Sequence, residues 1–164
     1  MADRRLHIAP VGERVVLQLK SLASDPPPPL LMPSDLVAEV RVLTLGPTEW
    51  LAVCDRIDAT RLRERLDHHF AGQGITGVEL SCGIKVLRVD GAAARELLSK
   101  GCGLDMDPES FPAGRSTRTR FAQLPVVIDC VDPSPRFELY VGRSYLAWLT
   151  AWLEDAAVEF QAAE

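Results

Sequence analysis

The chain has 164 residues, of which 47% are hydrophobic and 25% are charged, a composition typical of one globular domain. Its net charge of −5 argues against a general binder of phosphate backbones, because nonspecific affinity for nucleic acids depends on many lysines and arginines. Neither a signal-peptide pattern nor an apolar run of about 18 residues is present, so we expect a soluble cytoplasmic protein without a membrane segment.

Residues 1–35 are predicted to form an arm that precedes a domain over residues 36–164. Alternating apolar positions in residues 13–20 predict a strand, which we expect at the edge of a sheet. The four prolines at 26–29 exclude both a helix and the interior of a sheet, because proline lacks an N–H donor and has a fixed φ. They predict a polyproline spacer or a segment that wraps the surface, and the alternative is a proline-rich ligand for a recognition domain.

From residue 36 the pattern becomes regular. Strands are predicted over 37–45 and 49–54, joined by a Gly-Pro turn, and a helix follows after Asp58 or Thr60. The remaining strands are predicted over 76–81, 84–89, 115–121, 126–131 and 137–141, with helices over 91–101 and 143–162. The order β-α-β-β-α-β followed by β-β-α predicts an α+β fold with ferredoxin-like units, a largely antiparallel sheet and a long C-terminal helix.

Four arginines form the most prominent charged group of the chain: Arg115, Arg118, Arg120 and Arg143. Guanidinium groups bind carboxylates and phosphates through paired hydrogen bonds. On a strand, Arg118 and Arg120 share one face and Arg115 points to the other. We favour ion pairing or a subunit interface over binding of a small anion, and nucleic acid is the least favoured ligand.

The last predicted helix carries a wide apolar surface. Aromatic residues flank its leucine stripe at helical spacing: Tyr145, Trp148 and Trp152. The combined arc covers about half of the helix, which is wider than a stripe that only faces a core. Two interpretations stay open, namely contact with a partner protein and complete burial within the domain.

No catalytic, cofactor-binding or metal-binding residue is predicted. The cysteines lack a C-x-x-C pair and are expected to be small buried hydrophobic residues: Cys54, Cys82, Cys102 and Cys130. Asp105 and Asp107 lack the rest of a calcium loop and are predicted to cap a turn. No serine lies in a G-x-S-x-G motif, and no dinucleotide-binding glycine pattern occurs.

Two stretches carry a family resemblance: LLSKGCGLDMDPESFPAGRSTRTRFAQLPVVIDC at 97–130 and FELYVGRSYLAWLTAWLEDAA at 137–157. Together with GPTEWLAVCD at 46–55, they resemble the gamma subunits of heterotetrameric sarcosine oxidases over about residues 37–160. The segment VELSCGIKVLRVDGAAARELL at 78–98 is similar to folate-dependent aminomethyltransferase-like domains.

The resemblance implies a four-subunit enzyme that oxidatively demethylates sarcosine or a related N-methyl amine and passes the one-carbon unit to tetrahydrofolate. It places FAD, FMN, NAD and tetrahydrofolate in the alpha and beta subunits and zinc in the delta subunit. A gamma subunit packs most directly against alpha and holds no cofactor. The expected interface residues are the four arginines and the three aromatic residues of the last helix. The alternative function is a free-standing folate-binding or one-carbon-transfer domain.

Overall fold

The computed structural model describes residues 6–22, 32, 34 and 36–161. Within them the chain is an α+β protein, as predicted. A 3-10 turn, Arg143–Tyr145, precedes the last helix. The elements in chain order are β1 (His7–Pro10), β2 (Val15–Ser21), β3 (Val40–Gly46), β4 (Glu49–Cys54), α1 (Ala59–His69), β5 (Ile75–Glu79), β6 (Ile84–Asp90), α2 (Ala94–Gly101), β7 (Ser116–Phe121), β8 (Leu124–Asp132), β9 (Arg136–Gly142) and α3 (Leu146–Gln161).

The chain divides into two compact units, and the division does not fall at residue 35, where the sequence predicted the end of an arm. One unit is Glu13–Gly83, and the other combines the described residues of 1–12 with those of 84–164. The segment predicted as an arm therefore contributes a strand to each unit. The predicted proline spacer at 26–29 lies outside the described residues.

In the unit Glu13–Gly83, four antiparallel strands pair in the order β3-β4-β2-β5. Strand β2 pairs on both sides, so the prediction that it forms an edge is wrong. Alternation of apolar residues reports which face is buried and not how many neighbours a strand has. Helix α1 begins after Asp58, whose side chain accepts a hydrogen bond from the backbone N–H of Arg61 at 3.0 Å.

In the other unit, five antiparallel strands pair in the order β1-β6-β9-β8-β7. Helices α2 and α3 pack their buried residues into one core with the apolar side chains of one sheet face. That core includes Leu97, Phe121, Leu139, Leu149 and Leu153. The sequence did not predict β1, which has only four residues. None of the described helices is long and apolar enough to cross a membrane.

The opposite face of this five-stranded sheet carries a row of polar residues, one from each of four adjacent strands. The row runs through directly paired positions: Arg88, Glu138, Asp129 and Ser116. Glu138 is 2% exposed and Asp129 is fully buried. Glu138 accepts hydrogen bonds from Arg88 Nη2 at 3.0 Å and from the Tyr140 hydroxyl at 3.0 Å, so its buried carboxyl group is paired.

Candidate partner-binding surface

Arg115 lies directly before β7 and is held by two contacts with the loop between α2 and β7. Its Nη1 donates a hydrogen bond to the carbonyl oxygen of Ser110 at 2.7 Å. Its guanidinium carbon lies 5.8 Å from the ring centre of Phe111. Since Phe111 is only 2% exposed, the exposed guanidinium rests on a ring that belongs to the core. A long side chain is thus held in one place at the surface.

A cavity of about 320 Å³ opens beside this guanidinium. Its lining combines apolar, hydroxyl and charged side chains: Leu104, Asp105, Ser110, Phe111, Arg115 and Thr117. Asp105 accepts hydrogen bonds from the Ser110 hydroxyl at 2.5 Å and from the backbone N–H of Asp107 at 3.0 Å. Both hydrogen bonds lower the pKa of Asp105, and the one from the Ser110 hydroxyl has the larger effect. This carboxyl group is therefore ionised at neutral pH.

Two side-chain hydrogen bonds confirm the predicted turn. Asp105 accepts one from the backbone N–H of Asp107, and Asp107 accepts another from the backbone N–H of Glu109 at 2.9 Å. The two aspartates therefore organise the loop that carries Ser110 and Phe111.

The four arginines do not form one cluster. Arg120 lies at one end of β7 and Arg115 precedes the other end, about 17 Å away at the rise of an extended strand. Arg143 lies at the same end of the sheet as Arg120, because Val126 of β8 pairs with both Thr119 and Val141. A single small anion cannot span Arg115 and Arg120.

The two strand arginines occupy the positions predicted for them. Arg118 and Arg120 are exposed and share one face of β7, which is an edge strand of its sheet in the part of the chain described. Arg120 Nη2 donates a hydrogen bond to the carbonyl oxygen of Gln123 at 3.2 Å.

Helix α3 divides its aromatic residues between the core and the surface. Trp152 is half-buried and meets the ring of Phe121 edge-on, with ring centres 5.2 Å apart. Trp148 is 49% exposed and Tyr145 is 43% exposed. Complete burial, one of the two interpretations of this helix, is therefore wrong for Tyr145 and Trp148, while Trp152 belongs largely to the domain's own packing.

Arg95 is a structural residue that the sequence did not single out. Its Nη1 donates to the carbonyl oxygens of Met106 at 2.5 Å and Phe111 at 3.0 Å. Its guanidinium carbon also lies 5.1 Å from the ring centre of Phe137. Arg95 thereby fastens the loop after α2 to the helix itself. Its position on α2 gives no sequence signal, because the acceptors are backbone carbonyls more than ten residues away.

The cysteines follow the prediction in part. Cys54 and Cys130 are buried, Cys102 is partly buried, and Cys82 is exposed, which contradicts the expectation of a buried residue. Burial raises the pKa of Cys102, and burial raises that of Cys130 more strongly than the nearby Arg95 lowers it. Both thiols are therefore protonated at neutral pH. Within the described ranges, no three histidine, cysteine or acidic side chains are grouped as metal ligands.

Comparison with known proteins decides the family. Residues 29–159 match the model of the sarcosine oxidase, gamma subunit family. The chain belongs to this family. The gamma subunit of Corynebacterium sp. (strain U-96) sarcosine oxidase is 30% identical over 128 residues, covering 78% of this chain and 61% of that relative. The Arthrobacter sp. gamma subunit is 32% identical over 120 residues, covering 73% and 57%.

The chain thus spans about three fifths of the length of these curated gamma subunits. Among solved structures, it is similar to a chain of the heterotetrameric sarcosine oxidase from Corynebacterium sp. U-96 in complex with pyrrole 2-carboxylate. The TM-score is 0.83 at 25% identity, over 100% of this chain and 89% of that chain.

The glycine cleavage system aminomethyltransferase T from Bartonella henselae gives a TM-score of 0.61 at 11% identity, over 91% of this chain and 45% of that chain. At this identity the likeness concerns the fold alone. It confirms the predicted similarity to aminomethyltransferase-like domains.

Proposed function

We propose that this member of the gamma subunit family is a non-catalytic subunit of a heterotetrameric sarcosine oxidase-type complex. The observation that carries the proposal is the structural likeness, over the whole chain, to a chain of the Corynebacterium heterotetrameric enzyme. Family membership over residues 29–159 supports it. In this proposal the chain contributes contact surfaces, and the reaction takes place on other subunits in the cytoplasm.

The reaction proposed for the complex is oxidative demethylation of sarcosine or a related N-methyl amine, with tetrahydrofolate accepting the one-carbon unit. FAD, FMN, NAD and tetrahydrofolate would reside in the alpha and beta subunits and zinc in the delta subunit. This assignment rests on the family resemblance. The protonated Cys102 and Cys130 and the turn-forming Asp105 and Asp107 fit structural roles for these residues of the gamma subunit.

We place the contact with the partners, above all alpha, on two exposed surfaces. One is the start of α3 with Arg143, Tyr145 and Trp148, and the other is the arginine-bearing edge formed by Arg115 and β7. Tryptophan, tyrosine and arginine are the residues that most often anchor protein interfaces, because each buries a large area and also donates hydrogen bonds.

Co-expression with the alpha, beta and delta subunits of the same source tests the proposal. We expect a yellow complex that retains this chain through affinity and size-exclusion chromatography and oxidises sarcosine. The isolated chain should be colourless and inactive. A chain that elutes alone in the presence of all three partners, or one that oxidises the amine by itself, would contradict the proposal.

The alternative, a free-standing folate-binding or one-carbon-transfer domain, gains no specific support from the aminomethyltransferase likeness, since 11% identity indicates the fold only. Calorimetric titration of the isolated chain with tetrahydrofolate separates the two functions. Saturable heat would favour the alternative, and its absence would remove it.

A further inference from the structure

Arg115 is an exposed cation of the arginine-bearing edge that two neighbouring residues hold in place. The Phe111 ring lies under its guanidinium carbon, and the carbonyl oxygen of Ser110 accepts a hydrogen bond from its Nη1. The support is itself braced, because Asp105 binds the Ser110 hydroxyl and Arg95 binds the carbonyl oxygen of Phe111. Little side-chain entropy remains to be lost when such a group binds a ligand, which favours affinity.

The donors of Arg115 are mostly unused. A guanidinium has five N–H donors, and among the described residues Arg115 donates one hydrogen bond, to Ser110. The cavity of about 320 Å³ adjoins the group, and Thr117 adds a hydroxyl to its lining. The remaining fork of N–H groups suits a carboxylate, which it can bind through two parallel hydrogen bonds.

Asp105 restricts what the cavity can receive. Its ionised carboxyl group lines the same cavity and would repel a polyanion such as a nucleic-acid backbone. Both oxygens of Asp105 already accept hydrogen bonds, which partly offset its negative charge. A single carboxylate that binds Arg115 is therefore repelled less strongly by Asp105 than a polyanion would be. The apolar contribution of Leu104 and Phe111 suits the methylene groups of a protein side chain.

We infer that Arg115 is a pre-organised anchor that receives an aspartate or glutamate side chain of a partner subunit in this cavity. The inference rests on the proposed function and specifies the chemistry of one of its contact surfaces. Arg118 and Arg120 lie on the other face of β7 and are not part of this anchor.

The test measures the affinity of the chain for the complex of its companion subunits by biolayer interferometry at several salt concentrations. Arg115→Gln should weaken binding about tenfold and reduce the salt dependence, because a charge-assisted pair is lost. Arg115→Lys should recover only part of the affinity, since lysine keeps the charge but loses the fork. The matched control is Arg61→Gln, an exposed α1 residue in the other unit, which should change affinity less than twofold.

An Arg115→Gln variant that binds as tightly as the Arg61→Gln control overturns the inference and leaves the proposed function intact. A wild-type chain that does not bind the companion subunits at all overturns both. Thermal melting of each variant excludes misfolding as the cause of weaker binding, and a variant that melts like wild type yet binds tenfold more weakly supports the anchor.

Discussion

A Cβ atom placed on Gly101 would lie 2.3 Å from Cζ of Phe121, well inside van der Waals contact. Gly101, the last residue of α2, therefore lies directly against the ring of Phe121, the last residue of β7. The carbonyl oxygen of Gly101 also accepts a hydrogen bond from the backbone N–H of Ala122 at 2.7 Å, so the backbone cannot move away without breaking this bond. Within the stretch 97–130 that carries the family resemblance, Gly101 therefore has a packing role.

Gly101→Ala should destabilise the isolated chain by about 2 to 3 kcal/mol, because the new methyl group overpacks a core that includes Phe121. Urea denaturation measures the change. Gly103→Ala is the control, since a Cβ at that position meets nothing within 4 Å. Equal stabilities of the two variants would show that the close approach carries no cost.

Substitutions of the two tryptophans of α3 should have separate effects, one on the stability of the chain and the other on its binding to the companion subunits. Trp152→Ala removes the edge-on contact with Phe121 and should cost the isolated chain about 2 kcal/mol of unfolding free energy. Trp148→Ala should leave that free energy within about 0.5 kcal/mol, because nearly half of the side chain is exposed. Binding to the companion subunits should instead weaken in Trp148→Ala. If Trp148→Ala destabilised the isolated chain more than Trp152→Ala, the assignment of Trp152 to the core and Trp148 to the binding surface would be refuted.

The turn between β7 and β8 offers a stabilising substitution. Ala122 and Gln123 have φ values of 45° and 71°, a conformation that favours glycine or asparagine over other residues. Gln123→Gly should raise the unfolding free energy by about 0.5 kcal/mol, because relief of the backbone strain exceeds the entropic cost of glycine. Ala113→Gly, in a loop position without positive φ, should lower it instead. Differential scanning calorimetry of both variants checks the opposite signs.

Removing only one partner of the ion pair between Arg88 and Glu138 should destabilise the chain more than removing both partners. Arg88→Met removes the guanidinium that donates a hydrogen bond to the buried Glu138 carboxyl group, and we expect the free energy of unfolding to fall by about 3 kcal/mol. Denaturation with guanidinium chloride measures this change. The double variant Arg88→Met with Glu138→Leu should recover most of that loss, since the Glu138 carboxyl group that Arg88 paired with is then also removed. A double variant as unstable as the single one would refute this account.

Local features were predictable from the sequence. The hairpin of β3 and β4 and the start of α1 after Asp58 follow from alternation, turn residues and a capping side chain that lie within a few positions of one another. The helix predicted over 143–162 begins with a 3-10 turn and becomes α-helical at Leu146, a small shift at a helix end.

Relationships between distant parts of the chain were not predictable in this way. Strand β1 is recognised only through its pairing with β6, and β2 becomes an interior strand through partners from two later segments. For the same reason the structural role of Arg95 was not predictable, because its hydrogen-bond acceptors lie in a loop more than ten residues away. For the arginines, residue type and alternation along the strand were predictable, while the separation of Arg115 from Arg143 depends on the order of the strands in the sheet.

The polar row across the five-stranded sheet has a consequence for how the strands align during folding. Phe137 and Leu139 point into the core beside α2 and α3, and Glu138 between them points to the other face. A slip of β9 by one residue would drive the Glu138 carboxyl group into that core and expel both apolar neighbours. Arg88 and Asp129 stand opposite Glu138 only in the native alignment. The row thus favours the native register of β9, because a one-residue slip would bury the Glu138 carboxyl group in the apolar core and separate it from Arg88.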